Sequence, residues 1–342
     1  MEKTLQRNQI WDFFKGIFAI GVVFVHFPFP GVVGKILASV GVVGVIFFFL
    51  ISGYQSYSPD GSSADKLLGR FKRNLKLTGI ALLCYIVFTV IQQLIHGMFG
   101  EWIKIFLNPI TYVKMILLGD FSMFNADALW FMPALLYCYL IVYIMEKKRL
   151  NKYFYAALPL LLLLRIGMET YTNSFSLVSW LDWHFSGNFL VGGLPVMLLG
   201  NYLHSKADPI KKLNGKAVIA AACLSALLVF LFVNVKVFSV DISQPFKIAA
   251  ALFVFMGCLI YSESAGIGFI NTLGRKYTLY IYLYHYLVGT IISEVFIALA
   301  LLAFCKDYIL PVCTVLASFA VSAAIVGILG RCKRQCSNDG VK

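Results

Sequence analysis

The first apolar segment carries three ionisable side chains, Asp12, Lys15 and His26, in the run Trp11-Asp12-Phe13-Phe14-Lys15-Gly16-Ile17-Phe18-Ala19-Ile20-Gly21-Val22-Val23-Phe24-Val25-His26. Histidine changes charge near neutral pH, so it can take up a proton and hand it on. A carboxylate three residues before a lysine can pair with it across one helical turn and hold the cation in place. At about 100° per residue, the step from Lys15 to His26 returns to within about 20° of the same helix face and climbs roughly 16 Å. In hydrocarbon such groups lose solvation heavily unless they face a bundle interior or a wet cavity. The stripe is therefore expected to line a polar cavity. The competing reading is a buried polar network that only fastens helices together.

The helices that would position this stripe are evident from composition. The chain has 342 residues, of which 60% are hydrophobic, 15% aromatic and only 13% charged, and its mean hydropathy is +0.82. Soluble domains of this size do not have that balance. Apolar stretches long enough to cross about 30 Å of hydrocarbon recur throughout, which predicts an all-α integral membrane protein: one domain over 1–342, a bundle of about ten transmembrane helices. The expected spans are 10–28, 36–56, 75–98, 128–146, 153–168, 187–204, 217–235, 246–262, 278–302 and 308–330. Basic residues gather in alternate loops, among them Lys66, Arg70, Lys72, Arg73 and Lys76, then Lys147, Lys148, Arg149 and Lys152, then Lys206, Lys211, Lys212 and Lys216. The bias is about three to one and predicts both termini in the cytoplasm. The net charge of +13 then reports topology and attraction to anionic headgroups of the bilayer, with no nucleic acid as partner.

Several features narrow this picture. The amino-terminal run is followed by Phe27-Pro28-Phe29-Pro30 and is not expected to be a cleavable signal peptide. The eight cysteines show no paired metal spacing, so packing is their expected role and no metal is expected. No internal repeat of the kind found in many transporters is visible. Two outer segments are long, 99–127 and 169–186, the second with Trp180-Leu181-Asp182-Trp183-His184. Their aromatics fit an interfacial belt or a sugar-stacking surface, and 103–118 fits a short re-entrant or interfacial helix. Arg165, Glu169 and Glu294 find no role at this level.

The pattern Arg7-x4-Asp12-x2-Lys15-Gly16-x9-His26 resembles the opening helix of the acyltransferase family three of membrane proteins, whose hallmark is a basic residue, ten intervening residues and a histidine. Further segments agree with that family in order. Phe47-Phe48-Phe49-Leu50-Ile51-Ser52-Gly53-Tyr54 resembles its second-helix signature, Arg70-Phe71-Lys72-Arg73 its cytoplasmic basic motif, and Leu129-Trp130-Phe131-Met132-Pro133 its fourth-helix motif. Leu273-Gly274-x3-Thr278-x2-Ile281-Tyr282-Leu283-Tyr284-His285 resembles the ninth-helix pattern. The resemblance runs from residue 7 to about residue 330. Lys15 stands where arginine is commoner and lacks its bidentate fork; Ala128 stands where some members carry a histidine.

The resemblance implies transfer of an acyl group, commonly acetyl, from a cytoplasmic acyl-CoA such as acetyl-CoA to a hydroxyl of a cell-surface carbohydrate or related acceptor, at the plasma membrane. Under it His26 is the general base, Asp12 either holds a ring nitrogen of that base or, as the distance favours, pairs with Lys15, and Lys15 offers positive charge to a phosphate or a developing oxyanion. Arg70 and Arg73, at the cytoplasmic mouth of the third helix, would grip the phosphates of coenzyme A; the plain alternative, positive-inside anchoring, is at least as good for Lys72 and Lys76. Ser52, Trp130 and His285 are weaker substrate-side candidates. Helix packing, an interfacial ring and a satisfied structural histidine are their respective alternatives. A carrier or small-molecule sensing module, with the stripe of helix one as its path, is the competing function class. A carrier predicts repeat symmetry and broken helices in corresponding halves.

Overall fold

The structure, a computed structural model, describes residues 8–58, 60–62, 64–171, 188–233, 236–237, 240–264, 266–300 and 305–339. In chain order its main helices are α1 (Gln9–His26), α2 (Gly31–Tyr54), α3 (Asp65–Ile95), α4 (Phe99–Phe106), α5 (Pro109–Leu118), α6 (Phe131–Lys147) and α7 (Asn151–Tyr171). They continue with α8 (Leu194–Ser205), α9 (Gly215–Phe232), α10 (Gln244–Ile260), α11 (Thr278–Ala298) and α12 (Leu310–Asp339). Helix is nearly all of the regular structure. The exception among the described residues is an antiparallel ladder of two-residue strands, Lys236–Val237 with Val240–Asp241.

Eight helices among the described residues are long and apolar enough to cross a membrane. Two of the ten expected spans fall short of that standard: 187–204 appears as Phe189–Ser205 and 246–262 as Gln244–Ile260. Local chemistry sets where both begin. Asn188 accepts from the backbone N–H of Leu190 and Val191 at 2.9 and 3.0 Å, capping the first, and Pro245 occupies the first turn of the second, where a missing N–H is harmless.

The third span departs most from expectation, because α3 starts at Asp65 and not near 75. Leu, Lys and Arg are good helix formers and Asp65 sits favourably in the first turn, so the helix continues past the last lipid-compatible residue. Arg70, Lys72, Arg73 and Lys76 therefore lie on helical turns and not on a loop. In the 99–127 segment, Asn108 and Pro109 divide the expected single helix into α4 and α5, the Asn108 side chain accepting from Ile110 N–H at 3.0 Å. Trp102 of α4 is buried and donates to the carbonyl of Met123 at 2.8 Å. The Trp180 to His184 cluster lies outside the described residues.

The chain forms two compact units, one of Met1–Gly44 with Ser262–Lys342 and the other of Val45–Tyr261. In the first, glycines let α1 approach its neighbours at backbone distance. A Cβ on Gly16 would lie 2.6 Å from the carbonyl oxygen of Ile270, and one on Gly274 would run into the Asp12 carbonyl. Ala19 and Val23 of α1 close a core with Leu273 and Ile281, packed by Phe27, Tyr277 and Phe319. In the second unit, α6 is the buried centre, with Met132, Cys138, Val142 and Met145 fully enclosed. A polar network stitches its end: Asn201 Nδ2 donates to Glu146 Oε1 at 2.7 Å, and the Tyr155 hydroxyl donates to Asn201 Oδ1 at 2.5 Å. These hydrogen bonds join neighbouring helices, as burial of polar groups away from water favours.

Candidate functional site

The first unit holds four of the candidate residues, arranged as two pairs. At the start of α1 the Asn8 side chain caps the helix, accepting from Trp11 N–H at 3.0 Å. This puts Asp12 in the first turn, where the positive end of the helix favours a carboxylate. Lys15 Nζ lies 2.6 Å from Asp12 Oδ1, with the carboxylate side chain only 6% exposed. The lysine's charge is thus already met by a partner. His26 stands in the last turn, 14 residues or roughly 21 Å from Asp12 along the axis, so the carboxylate orients lysine and not imidazole.

At that far end the structure places His26 beside His285 of α11, ring centres 5.3 Å apart at 47°. The edge of Tyr286 meets the His26 ring at 5.2 Å and 81°. Nδ1 of His285 lies 2.9 Å from the carbonyl oxygen of Tyr282 and 3.0 Å from that of Ile281. Carbonyls only accept, so Nδ1 carries the proton and Nε2 presents a lone pair. His285 is completely buried. Two histidines in apolar surroundings, one with a fixed tautomer, form a unit that can receive and pass a proton.

The second unit holds the remaining four candidates. Arg70 and Arg73, one turn apart on α3, share a face, and Arg70 Nη1 donates to the Gln55 carbonyl at 3.0 Å. Tyr139 of α6 is hydrogen-bonded to Ser52 of α2 and lies within electrostatic reach of both arginines. Ser52 thereby joins the basic face through a tyrosine that sequence reasoning missed. The signal was present: Tyr139 sits in the middle of an apolar span, away from the interfaces where tyrosines gather. Trp130 does not join them. It caps the start of α6, whereas Lys147 at the other end pairs with Asp65 of α3 at 3.3 Å, so Trp130 and the arginines lie towards opposite ends of that helix. Its ring packs edge-on against Phe131.

Two other features bear on chemistry. Arg165 and Glu169, without a role in sequence, form a one-turn ion pair at 2.7 Å within α7. Among the described residues no group of three His, Cys, Asp or Glu side chains is placed to hold a metal ion, and Cys84, Cys138, Cys223, Cys258 and Cys313 are free thiols.

Residues 8–331 match the family model described as an acyltransferase domain. That is nearly the whole chain, and the protein belongs to this family as a multi-pass membrane acyltransferase. No curated protein and no solved structure matches it.

Proposed function

We propose that this acyltransferase moves an acyl group, acetyl in the simplest case, from a cytoplasmic acyl-CoA to a hydroxyl of a cell-surface carbohydrate or related acceptor. The observation that carries the reading is His26, an imidazole at the end of an apolar helix with a second imidazole beside it. A hydroxyl is a weak nucleophile near neutral pH, and attack on a thioester needs a base of histidine's strength at hydrogen-bond reach. His26 takes the hydroxyl proton as the new acyl–oxygen bond forms. The acyl–sulfur bond then breaks, and the proton leaves on the coenzyme A sulfur, which restores neutral His26.

The donor's phosphates suit Arg70 and Arg73, whose guanidinium forks can take phosphate oxygens two at a time. Lys15, held by Asp12, supplies a fixed positive charge to phosphate or oxyanion. Ser52 is read as a donor-side contact beside Tyr139, and Trp130 as an interfacial ring. The positive-inside bias supports both termini in the cytoplasm and ten crossings in a plasma membrane, with the two shorter apolar helices counted as crossings. The deciding experiment is mass spectrometry of surface glycans from cells with and without the protein. A mass increment of one acyl group on one glycan, present only with the protein, is expected. Identical glycan masses would refute the carbohydrate acceptor.

A further inference from the structure

One atom of the histidine pair has no function in the scheme so far. Nε2 of His285 is enclosed and has no hydrogen-bond partner among the described residues. An enclosed acceptor without a donor is unfavourable, because it has given up water and gained nothing in exchange. The ring is not free to turn and escape this, because Nδ1 is bound to the Ile281 and Tyr282 carbonyls. The ionisable rings in contact with the pair are His26 from α1, with Tyr286 against it, and Tyr282 from His285's own helix. The ring centres are 5.3 Å apart and the rings tilted at 47°, with no hydrogen bond between them in the structure; a turn of the His26 ring on its own side chain is what brings its N–H to Nε2.

We propose that His285 is a positioning residue for His26: its Nε2 accepts the N–H of His26, which leaves the lone pair of the other His26 nitrogen aimed at the acceptor hydroxyl. This rests on the reading of His26 as the base. When the hydroxyl proton reaches His26, the same hydrogen bond steadies the imidazolium. The proton leaves with the coenzyme A sulfur, and both rings finish neutral. His285 acts through His26 and touches no reacting atom.

The test uses the full chain in lipid nanodiscs with 15N-labelled histidine, which reads tautomers and hydrogen bonds without any activity. The expected result is His285 protonated at Nδ1 alone, with a nitrogen–nitrogen coupling across the bond from His26 that disappears in His285→Leu. In cells, His285→Leu is expected to lower the acyl increment on surface glycans at least tenfold. His285→Gln, whose amide can donate to the same carbonyls and offer its oxygen to His26, is expected to recover most of it. A protonated Nε2, or no coupling in the unaltered protein, overturns the proposal; so does His285→Leu with an undiminished product, or His285→Gln that inserts normally and is as inactive as His285→Leu. If His285→Leu does not insert, the coupling and His285→Gln decide. His26→Ala separates the two readings. Full product from that variant removes His26 as base, while a dead His26→Ala beside an active His285→Leu removes only the role of His285.

Discussion

The candidate residues of the two compact units hold their charge in opposite ways, although the second unit also buries the Arg165–Glu169 pair. In the unit of Met1–Gly44 with Ser262–Lys342, ionisable groups come in contacting pairs on neighbouring turns or helices: Asp12 with Lys15, His26 with His285. In the unit of Val45–Tyr261, Arg70 stays half exposed and Arg73 exposed at the polar start of α3. Pairing makes a buried charge tolerable and fixes its geometry, which suits proton transfer. Exposure leaves a guanidinium free to exchange water for a phosphate, which suits a ligand that must come and go. Under the proposed function the contrast separates chemistry from donor binding, and substitutions should divide along it: changes at the first unit's candidates should act on turnover, changes at the second unit's on donor affinity.

The largest effect is expected from His26→Ala. Loss of a general base slows the step it serves by about 10² to 10⁴, and the change adds no charge to the span, so insertion should be unaffected. Acyl transfer measured at matched membrane expression checks this. Normal product formation would return His26 to a structural part.

Lys15→Met should come next. It removes the fixed cation that faces the buried Asp12 carboxylate, and loss of one member of a buried pair destabilises by about 3–5 kcal/mol. Most activity should disappear, with a lowered thermal midpoint in detergent. Full activity in a stable variant would make the α1 stripe a fastening device and would weaken the assignment of chemistry to this unit.

For the second unit, Arg70→Ala combined with Arg73→Ala should raise the KM for acetyl-CoA by tenfold or more while kcat changes little, since each charge-assisted hydrogen bond contributes about 1.5–3 kcal/mol. Donor affinity of the unaltered protein should also fall as salt rises and the exposed arginines are screened. An unchanged KM in the double variant would leave both arginines as topology anchors.

How far these parts could be read in advance depended on the range of the signal. Transmembrane helices are legible because hydrocarbon demands runs of apolar residues, and each expected span contains a helix. The first ten residues of α3 were not, because hydropathy reports where lipid begins and a helix built from Leu, Lys and Arg continues beyond it. The Asp12–Lys15 pair was legible because one helical turn brings the two together whatever the tertiary fold does. The His26–His285 contact was not: it joins α1 to α11, and only packing decides which face of each helix meets the other. Glycines at 16 and 274 carried part of that information, since close backbone approach requires them, but they do not name their partners until coordinates do. Trp130 and Ser52 occupy motifs of similar standing in the sequence, yet only Ser52 reaches the basic face, through Tyr139.

The smallest effects test what kind of charge α1 requires. Lys15→Arg keeps a cation one turn from Asp12 but replaces a compact ammonium with a planar fork. If a point charge held by the carboxylate is what the site uses, activity should stay within about threefold of the unaltered enzyme, because the pair and its charge are both preserved. Asp12→Asn removes the charge that holds the lysine without touching the base, so its loss should be about tenfold and clearly smaller than that of His26→Ala. Initial rates with acetyl-CoA at fixed protein in nanodiscs resolve both. A Lys15→Arg variant as inactive as Lys15→Met would mean that shape matters more than charge, and that Lys15 is packed against Asp12 for structure. Asp12→Asn as damaging as His26→Ala would tie the two ends of α1 into one unit across roughly 21 Å, and the division between a charge-holding end and a proton-handling end would have to be given up.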